Sequence, residues 1–259
     1  IRAIARLCGI EHYYGKDEFN DNSKFDGSWG IWDEYFLPYV ADMLDTLPQP
    51  FMAGIFTLSS HHPFKIPAEW EERLPEGQVP LQKTIAYADA AVKAFFEKIR
   101  DTEWFGNTIF VITPDHSTLW GIYPEFTTTI GNTRIPIIYY APGFIEPGEY
   151  NSVTQQLDIM PTLLGMIGYD KPYFAFGRDL NSDTLHKPFA VNYTQGQYQL
   201  VYNDTLLFRN DSDLTAVYDL QSDPLLKNNL LTGTAADSLR DGSSLKAQDE
   251  FFKAFIQQY

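Results

Sequence analysis

The segment TPDH at residues 113–116 places a carboxylate, Asp115, beside an imidazole, His116, after an apolar stretch. That stretch, NTIFVI, is rich in β-branched and aromatic residues, which predicts a strand. In open α/β sheets, ligands bind at the carboxyl ends of strands. Because oxygen and nitrogen ligands together suit Mn²⁺ or Zn²⁺, and Mg²⁺ when water completes the shell, the pair is a candidate metal site. The alternative is that Asp115 caps the following segment and His116 is a surface histidine.

A second pair of candidate residues follows another apolar stretch, FMAGIFTL at residues 51–58. The chain continues as SSHHPF, which places His61 and His62 at the carboxyl end of a second predicted strand. A histidine in that place could donate a hydrogen bond to the phosphate or sulfate group of a substrate. The alternative is a plain turn, in which Pro63 sets the direction of the chain and both imidazoles are solvated.

Three further polar motifs are interpreted as structural. Asp158 and Thr162 lie one helical turn apart and would brace the start of a helix, where negative charge is favourable. The segment FGRDL at 176–180 is typical of a turn with an Arg–Asp pair, and VYDL at 217–220 of a strand that leads into an Asp-Pro turn. Arg134 has two open interpretations, as a substrate contact and as an ion-pair partner.

The elements that must position these residues alternate between strands and helices in the first two thirds of the chain. Apolar residues at the helical period predict an amphipathic helix over 81–100, and strands are predicted over 51–59, 107–114 and 135–140. A further helix is predicted over 157–168. This order predicts an α/β fold with a mostly parallel sheet flanked by helices.

The last third of the chain has short strand signals separated by Gly, Asn and Asp, which predict a small antiparallel sheet. A terminal helix is predicted over 244–258. The sequence thus predicts an α/β domain over 1–185, with an antiparallel sheet and helix over 186–259 packed on it. The polar, Gly-rich residues 15–30 predict a long loop. The strands of the antiparallel sheet are predicted over 189–192, 198–202, 205–208 and 216–220.

Composition excludes several classes of function. The 259 residues include 19 Lys plus Arg and 34 Asp plus Glu, which gives a formal net charge of −15. This charge repels phosphate backbones and argues against nucleic acid as a partner and against a polybasic membrane-binding patch. No apolar run reaches the ~20 residues that span a bilayer. Cys8 is the single cysteine, so no disulfide forms within the chain.

Seven segments follow one another along the chain: GIEHYYGKD (9–17), GIWDEYF (30–36), FTLSSHHPF (56–64), PDH (114–116), TRIPIIYYAP (133–142), 157–168 and 176–180. In this order they resemble the sulfatase branch of the alkaline phosphatase superfamily, and most closely its lipoteichoic acid synthase, or phosphoglycerol transferase, group. The resemblance covers nearly the whole chain and implies the alkaline phosphatase-like α/β fold.

The resemblance also assigns roles to individual residues. Asp115 and His116 match the Asp-His pair with which the family binds its catalytic divalent metal. His61 matches the histidine of the family's (N/S)-H-x-P-F segment, which contacts the phosphoryl group of the substrate. Gln156 stands where some two-metal relatives carry a histidine, which implies a single metal ion, with Mn²⁺ as the first choice and Mg²⁺ or Zn²⁺ as alternatives.

The activity that the resemblance implies is metal-dependent transfer of phosphoglycerol, or a related phospho-group, from a lipid phosphodiester at the outer face of a membrane. The enzyme would be extracytoplasmic, with a membrane anchor and the family's threonine nucleophile both upstream of Ile1. We therefore expect no nucleophile in this chain and no activity when it is isolated. The alternatives are a sulfatase or phosphoethanolamine transferase, and a non-catalytic binding or structural domain of the same fold.

Overall fold

The computed structural model describes residues 2–118, 120–182, 187–233 and 236–258. None of the helices in these ranges is both long enough and apolar enough to cross a membrane. The helices are α1 (Arg2–Leu7), α2 (Lys16–Phe19), α3 (Asp33–Asp45), α4 (Pro80–Ile99), α5 (Ile159–Met166), α6 (Ala236–Asp241) and α7 (Ser243–Gln258). The strands are β1 (Phe110–Ile112), β2 (Ile138–Tyr140), β3 (Phe189–Thr194), β4 (Gln197–Tyr202), β5 (Thr205–Arg209) and β6 (Leu214–Asp219).

The strands form two sheets, one of β1 and β2 and one in the order β3-β4-β5-β6. The chain divides into two compact units, which are described separately below. The first unit comprises Ile1–Val111 and Tyr139–Glu146, and the second comprises Ile112–Ile138 and Pro147–Tyr259. The domain boundary predicted between residues 185 and 186 lies outside the described residues and stays a prediction.

The core of the first unit lies between α3 and α4. Apolar side chains recur every three or four residues on each helix, so that each presents one apolar stripe to the other. Trp104 is also buried against these stripes, and Phe96 of α4 packs on Phe110 of β1 with ring centroids 5.0 Å apart. The helix predicted over 81–100 is confirmed as α4. The buried residues of this core are Leu37, Ala41, Leu44, Ala91, Phe95, Ile99 and Trp104.

The strand predicted over 51–59 is wrong, because residues 51–58 have no regular secondary structure. A strand needs a neighbour with which to exchange backbone hydrogen bonds, and within the described residues this segment belongs to neither sheet. Three of its apolar side chains are accordingly exposed, Met52 at 89%, Phe56 at 56% and Ile55 at 38%. The loop predicted over 15–30 is also partly wrong, since it contains the short helix α2.

The second unit contains the antiparallel sheet and the terminal helix, both of which are confirmed. The turn between β3 and β4 has Gln195 and Gly196 at positive φ, as two-residue hairpins require. One face of the sheet packs against α7, where Phe252 is fully buried beside Leu200 and Leu207. The strands predicted over 107–114 and 135–140 are present in shorter form as β1 and β2, and the mixed α/β class is confirmed.

Candidate functional site

Asp115 and His116 lie side by side in the second unit, in an exposed turn just after β1. The backbone N–H of His116 donates to Oδ1 of Asp115 at 3.0 Å, and Nδ1 of His116 lies 2.6 Å from the carbonyl oxygen of Ser117. Because a carbonyl oxygen can only accept, Nδ1 carries a proton, and in the neutral ring Nε2 keeps its lone pair. That Nε2 lies 3.7 Å from Oδ2 of Asp115.

This donor set fits a divalent cation. Bonds from zinc to nitrogen and oxygen ligands are about 2.0–2.2 Å long, so two donor atoms 3.7 Å apart are within reach of one ion. Metal-binding histidines also characteristically donate their second ring N–H to a carboxylate or carbonyl oxygen, as His116 does to Ser117. Among the described residues, no group of three or more His, Cys, Asp or Glu side chains could hold a metal ion. The pair therefore needs further ligands to complete a coordination shell.

Two hydrogen-bonding side chains fix the turn that carries this pair. The hydroxyl of Thr113 donates to the carbonyl oxygen of Pro136 at 2.9 Å. The side-chain Nε2 of Gln156 donates to the carbonyl oxygens of Pro114 at 2.9 Å and of Asp115 at 3.1 Å. Sequence reasoning singled out Gln156 only as a replacement for a second metal ligand, and its contact with the turn was missed.

The structural interpretation of Asp158 and Thr162 is confirmed. Asp158 is fully buried, and its carboxylate accepts hydrogen bonds from the backbone N–H groups of Gln155 at 3.0 Å and of Arg178 at 2.9 Å. The hydroxyl of Thr162 accepts from the backbone N–H of Leu180 at 3.1 Å. These bonds attach the FGRDL segment to the start of α5 and so stabilise the region that contributes Gln156.

His61 lies in the first unit, in a tight exposed turn formed by SSHHPF. Its backbone N–H donates to the carbonyl oxygen of Leu58 at 3.1 Å, and its Nδ1 lies 3.0 Å from the carbonyl oxygen of His62. The same carbonyl accepts from Nε1 of Trp29 at 2.6 Å. The rings of Trp29 and His61 are in contact, with centroids 4.0 Å apart and an interplanar angle of 51°. Nδ1 is thus the donor atom of His61, and Nε2 is left to meet a ligand.

A buried carboxylate holds the chain just before His61. Asp33 is the first residue of α3 and is 1% exposed. Its two oxygens accept hydrogen bonds from the backbone N–H groups of Leu58 at 3.1 Å and of Ser59 at 3.2 Å, and its own N–H donates to the hydroxyl of Ser59 at 3.0 Å. Burial raises the pKa of Asp33, and the hydrogen bonds to its carboxylate oppose that shift.

Asp33 and Trp29 are functional candidates that sequence reasoning missed. Asp33 has the form of an ordinary acidic residue in the first turn of a helix, and the sequence contains no spacing that would connect it to residue 59. Trp29 lies within the segment that was predicted as loop. The carboxylate of Asp26 orders that loop, because it accepts from the backbone N–H groups of Ser28 and Trp29 at 2.7 Å and of Gly30 at 3.1 Å.

The structure thus brings Asp115 and His116 together within the second unit and places His61 in the first. The metal and substrate roles of these residues stay predictions. Both interpretations of Arg134 stay predictions; its guanidinium lies over the ring of Phe126, 5.7 Å from the centroid.

Comparison with known proteins gives a family match. Residues 5–169 match the sulfatase family. The chain is similar to a lipoteichoic acid synthase-like protein of Bacillus subtilis (strain 168), YvgJ, with 30% identity over 203 residues, 71% of this chain and 33% of the relative. The chain spans about a third of the length of the curated relatives that it matches.

Solved structures show the same fold. The lipoteichoic acid synthase LtaP from Listeria monocytogenes superposes with a TM-score of 0.75 at 21% identity, over 99% of this chain and 65% of that chain. A protein of the alkaline phosphatase superfamily from Vibrio parahaemolyticus superposes with a TM-score of 0.67 at 24% identity, over 80% of this chain and 51% of that one. The alkaline phosphatase-like fold predicted from the sequence is confirmed.

Proposed function

Because the chain belongs to the sulfatase family, we propose that it is part of the catalytic domain of a metal-dependent phosphoglycerol transferase. The observation that carries this proposal is the arrangement of Asp115 and His116, which offers a carboxylate oxygen and an imidazole lone pair within reach of one cation. The relatives named as lipoteichoic acid synthases favour a phosphoglycerol group over a sulfate. We propose one divalent ion, with Mn²⁺ first and Mg²⁺ or Zn²⁺ as alternatives.

In this proposal, Asp115 and Nε2 of His116 would hold the ion, and the carbonyl oxygen of Ser117 fixes the orientation of the imidazole. A bound divalent ion neutralises charge on phosphoryl oxygens and lowers the pKa of a hydroxyl nucleophile. His61 contacts the phosphoryl group through Nε2, because Nδ1 already donates to the carbonyl of His62. In the protonated ring, Nε2–H donates to an anionic oxygen. In the neutral ring, the lone pair of Nε2 accepts a proton from a hydroxyl.

We propose that the nucleophile lies outside this chain. Two of the hydroxyls near the candidate residues are already engaged. Ser59 is 4% exposed and accepts from the backbone of Asp33, and Thr113 donates to the carbonyl of Pro136. We propose further that the whole protein acts on a lipid phosphodiester at the outer face of a membrane, to which an upstream segment anchors it. The net charge of −15 makes nucleic acid an unfavourable partner.

The test uses the full-length protein that contains this chain, assayed with phosphatidylglycerol vesicles and Mn²⁺ for release of diacylglycerol. We expect release that a chelator abolishes and that Asp115→Ala and His116→Ala each remove. His61→Ala should lower the rate by about 10²-fold or more, as loss of a transition-state hydrogen bond does. His12→Ala, a change at another exposed histidine, is the matched control. Cleavage of an aryl sulfate with no diacylglycerol release would replace this proposal with the sulfatase alternative.

A further inference from the structure

The contact between Asp33 and the backbone of Leu58 and Ser59 has a consequence for His61. We infer that Asp33 is a positioning residue, which holds the SSHHPF turn so that the His61 ring lies against Trp29 with Nε2 directed to its ligand. The direction of Nε2 toward a phosphoryl group rests on the proposed function. The placement of the ring does not depend on it.

The hydrogen bonds form a short path from Asp33 to His61. The carboxylate accepts from two consecutive backbone N–H groups, at residues 58 and 59. The carbonyl of the first of these residues, Leu58, then accepts from the backbone N–H of His61 at 3.1 Å. Fixing the peptide groups of Leu58 and Ser59 therefore fixes the first residue of the turn, two positions before the imidazole.

Within the described residues, no strand neighbour holds the backbone that leads into the turn. Residues 51–58 belong to neither sheet, so the segment that leads into the turn has no ladder of hydrogen bonds to hold it. The buried side chain of Asp33 supplies the fixed point that a neighbouring strand supplies in an ordinary sheet. Hydrogen bonds to an ionised acceptor are stronger than neutral ones, and the N-terminus of α3 favours the negative charge.

Trp29, which precedes α3 in the chain, contacts the same turn. Its Nε1 donates to the carbonyl of His62, and its ring lies 4.0 Å from that of His61. Protons of His61 near the face of an indole experience its ring current, which displaces their NMR signals. The contact therefore provides a spectroscopic measure of where the His61 ring lies, and it needs neither substrate nor metal.

Asp158 is the matched residue that distinguishes positioning of His61 by Asp33 from an effect of Asp33 on stability alone. Asp158 is fully buried, and like Asp33 it accepts hydrogen bonds from two backbone N–H groups, but it lies in the second unit. Asp158→Asn thus changes a second buried carboxylate that accepts from two backbone N–H groups. If Asp33 acts only on global stability, the two Asn variants should affect His61 alike.

The experiment is NMR of the 259-residue chain with labelled histidine, with the His61 signals assigned by His61→Gln. Asn can accept only one of the two backbone hydrogen bonds and Ala neither, so the ring-current displacement of His61 should shrink in Asp33→Asn and vanish in Asp33→Ala. Ser59→Ala, which removes the hydroxyl that accepts from the Asp33 N–H, should shrink it too. Asp158→Asn should leave it unchanged.

Several outcomes would overturn the inference. Wild-type His61 signals in Asp33→Ala would do so, and so would equal displacement of those signals in Asp33→Asn and Asp158→Asn. If Asp33→Ala fails to fold, the milder Asp33→Asn and Ser59→Ala variants decide the question. Titration of the wild type with glycerol 1-phosphate tests the proposed function separately. Unmoved His61 signals in that titration would count against the phosphoryl role of His61, while the comparison of variants still decides whether Asp33 positions it.

Discussion

Gln156 donates hydrogen bonds from one side-chain nitrogen to the backbone carbonyl of Asp115 and to that of the preceding residue, at 3.1 Å and 2.9 Å. Because both hydrogens of the amide can be directed at carbonyl oxygens, this side chain holds the backbone of the candidate metal ligand Asp115. These bonds fix the backbone from which the Asp115 carboxylate extends, and partners that orient a metal ligand affect the affinity for the metal.

Gln156→Ala should therefore weaken Mn²⁺ binding by about tenfold or more, within the range known for the loss of an outer partner. The measurement is the enhancement of water proton relaxation by Mn²⁺, which is suited to weak sites. Gln257→Ala, at an exposed position near the end of α7, is the control and should bind as the wild type does. Equal affinity in Gln156→Ala and the wild type would show that the turn holds Asp115 unaided.

The 259-residue chain alone should bind Mn²⁺ only weakly. Asp115 and His116 supply two ligands, and among the described residues no cluster of three or more candidate ligands exists. Calorimetric titration should give a weak signal that disappears in the double variant Asp115→Ala/His116→Ala. The control double variant Asp89→Ala/His12→Ala changes the same residue types at other exposed positions and should retain the signal. Tight binding that survives removal of Asp115 and His116 would place the metal elsewhere.

The raised pKa of Asp33 predicts how pH affects stability. Burial makes the folded state hold the Asp33 proton to a higher pH than the unfolded chain, whose reference value is 3.8. Between these two pKa values the folded state binds more protons, so the contribution of Asp33 to stability falls as the pH rises through that window. Above the window, the folded state carries the full cost of the buried charge.

Asp33→Asn should remove this dependence. Urea unfolding of the wild type and of Asp33→Asn, measured from below pH 3.8 to pH 7, should give a difference in free energy of unfolding that moves against the wild type as the pH rises. A constant difference across this range would mean that the pKa of Asp33 is the same in the folded and unfolded states.

Much of the fold was predictable because local pattern and tertiary environment agree. The periodicity of 81–100 gave α4, and the short strands and turns of the last third gave the antiparallel sheet. The apolar segment 51–58 was mispredicted for a physical reason. A strand is stabilised by its neighbours, and apolar composition in one segment carries no information about whether a neighbour is present.

The candidate site was predictable only in part. Asp115 and His116 are adjacent in sequence, so their proximity required no knowledge of the tertiary fold. Asp33 contacts a segment 26 positions further along the chain, and Gln156 contacts one 41 positions earlier. Neither contact has a local sequence signature. The Asp33 carboxylate and the Gln156 amide form hydrogen bonds with backbone groups, which are the same whatever the side chain of the partner residue.

Gly177 should prove indispensable to the segment that braces α5. A Cβ at this position would overlap the carbonyl oxygen of Leu157 and lie 2.6 Å from the backbone nitrogen of Asp158. Both are backbone atoms, which cannot move aside as the end of a side chain can. Gly177→Ala should thus lower the free energy of unfolding by about 1–3 kcal/mol, as overpacking does.

Gly148→Ala is the matched control for this change, since Gly148 is in the same unit and a Cβ there would meet nothing within 4 Å. Urea unfolding of both variants and the wild type gives the comparison. The clash in Gly177→Ala should also displace the backbone of Asp158 and disturb its carboxylate. Through the turn Gln156–Asp158, it should disturb the Gln156 amide that holds Asp115. Mn²⁺ relaxation should therefore show weaker binding in Gly177→Ala than in Gly148→Ala. If the free energy of unfolding falls and the Mn²⁺ affinity does not, the contacts of Asp158 at the start of α5 do not affect the turn that carries Asp115 and His116.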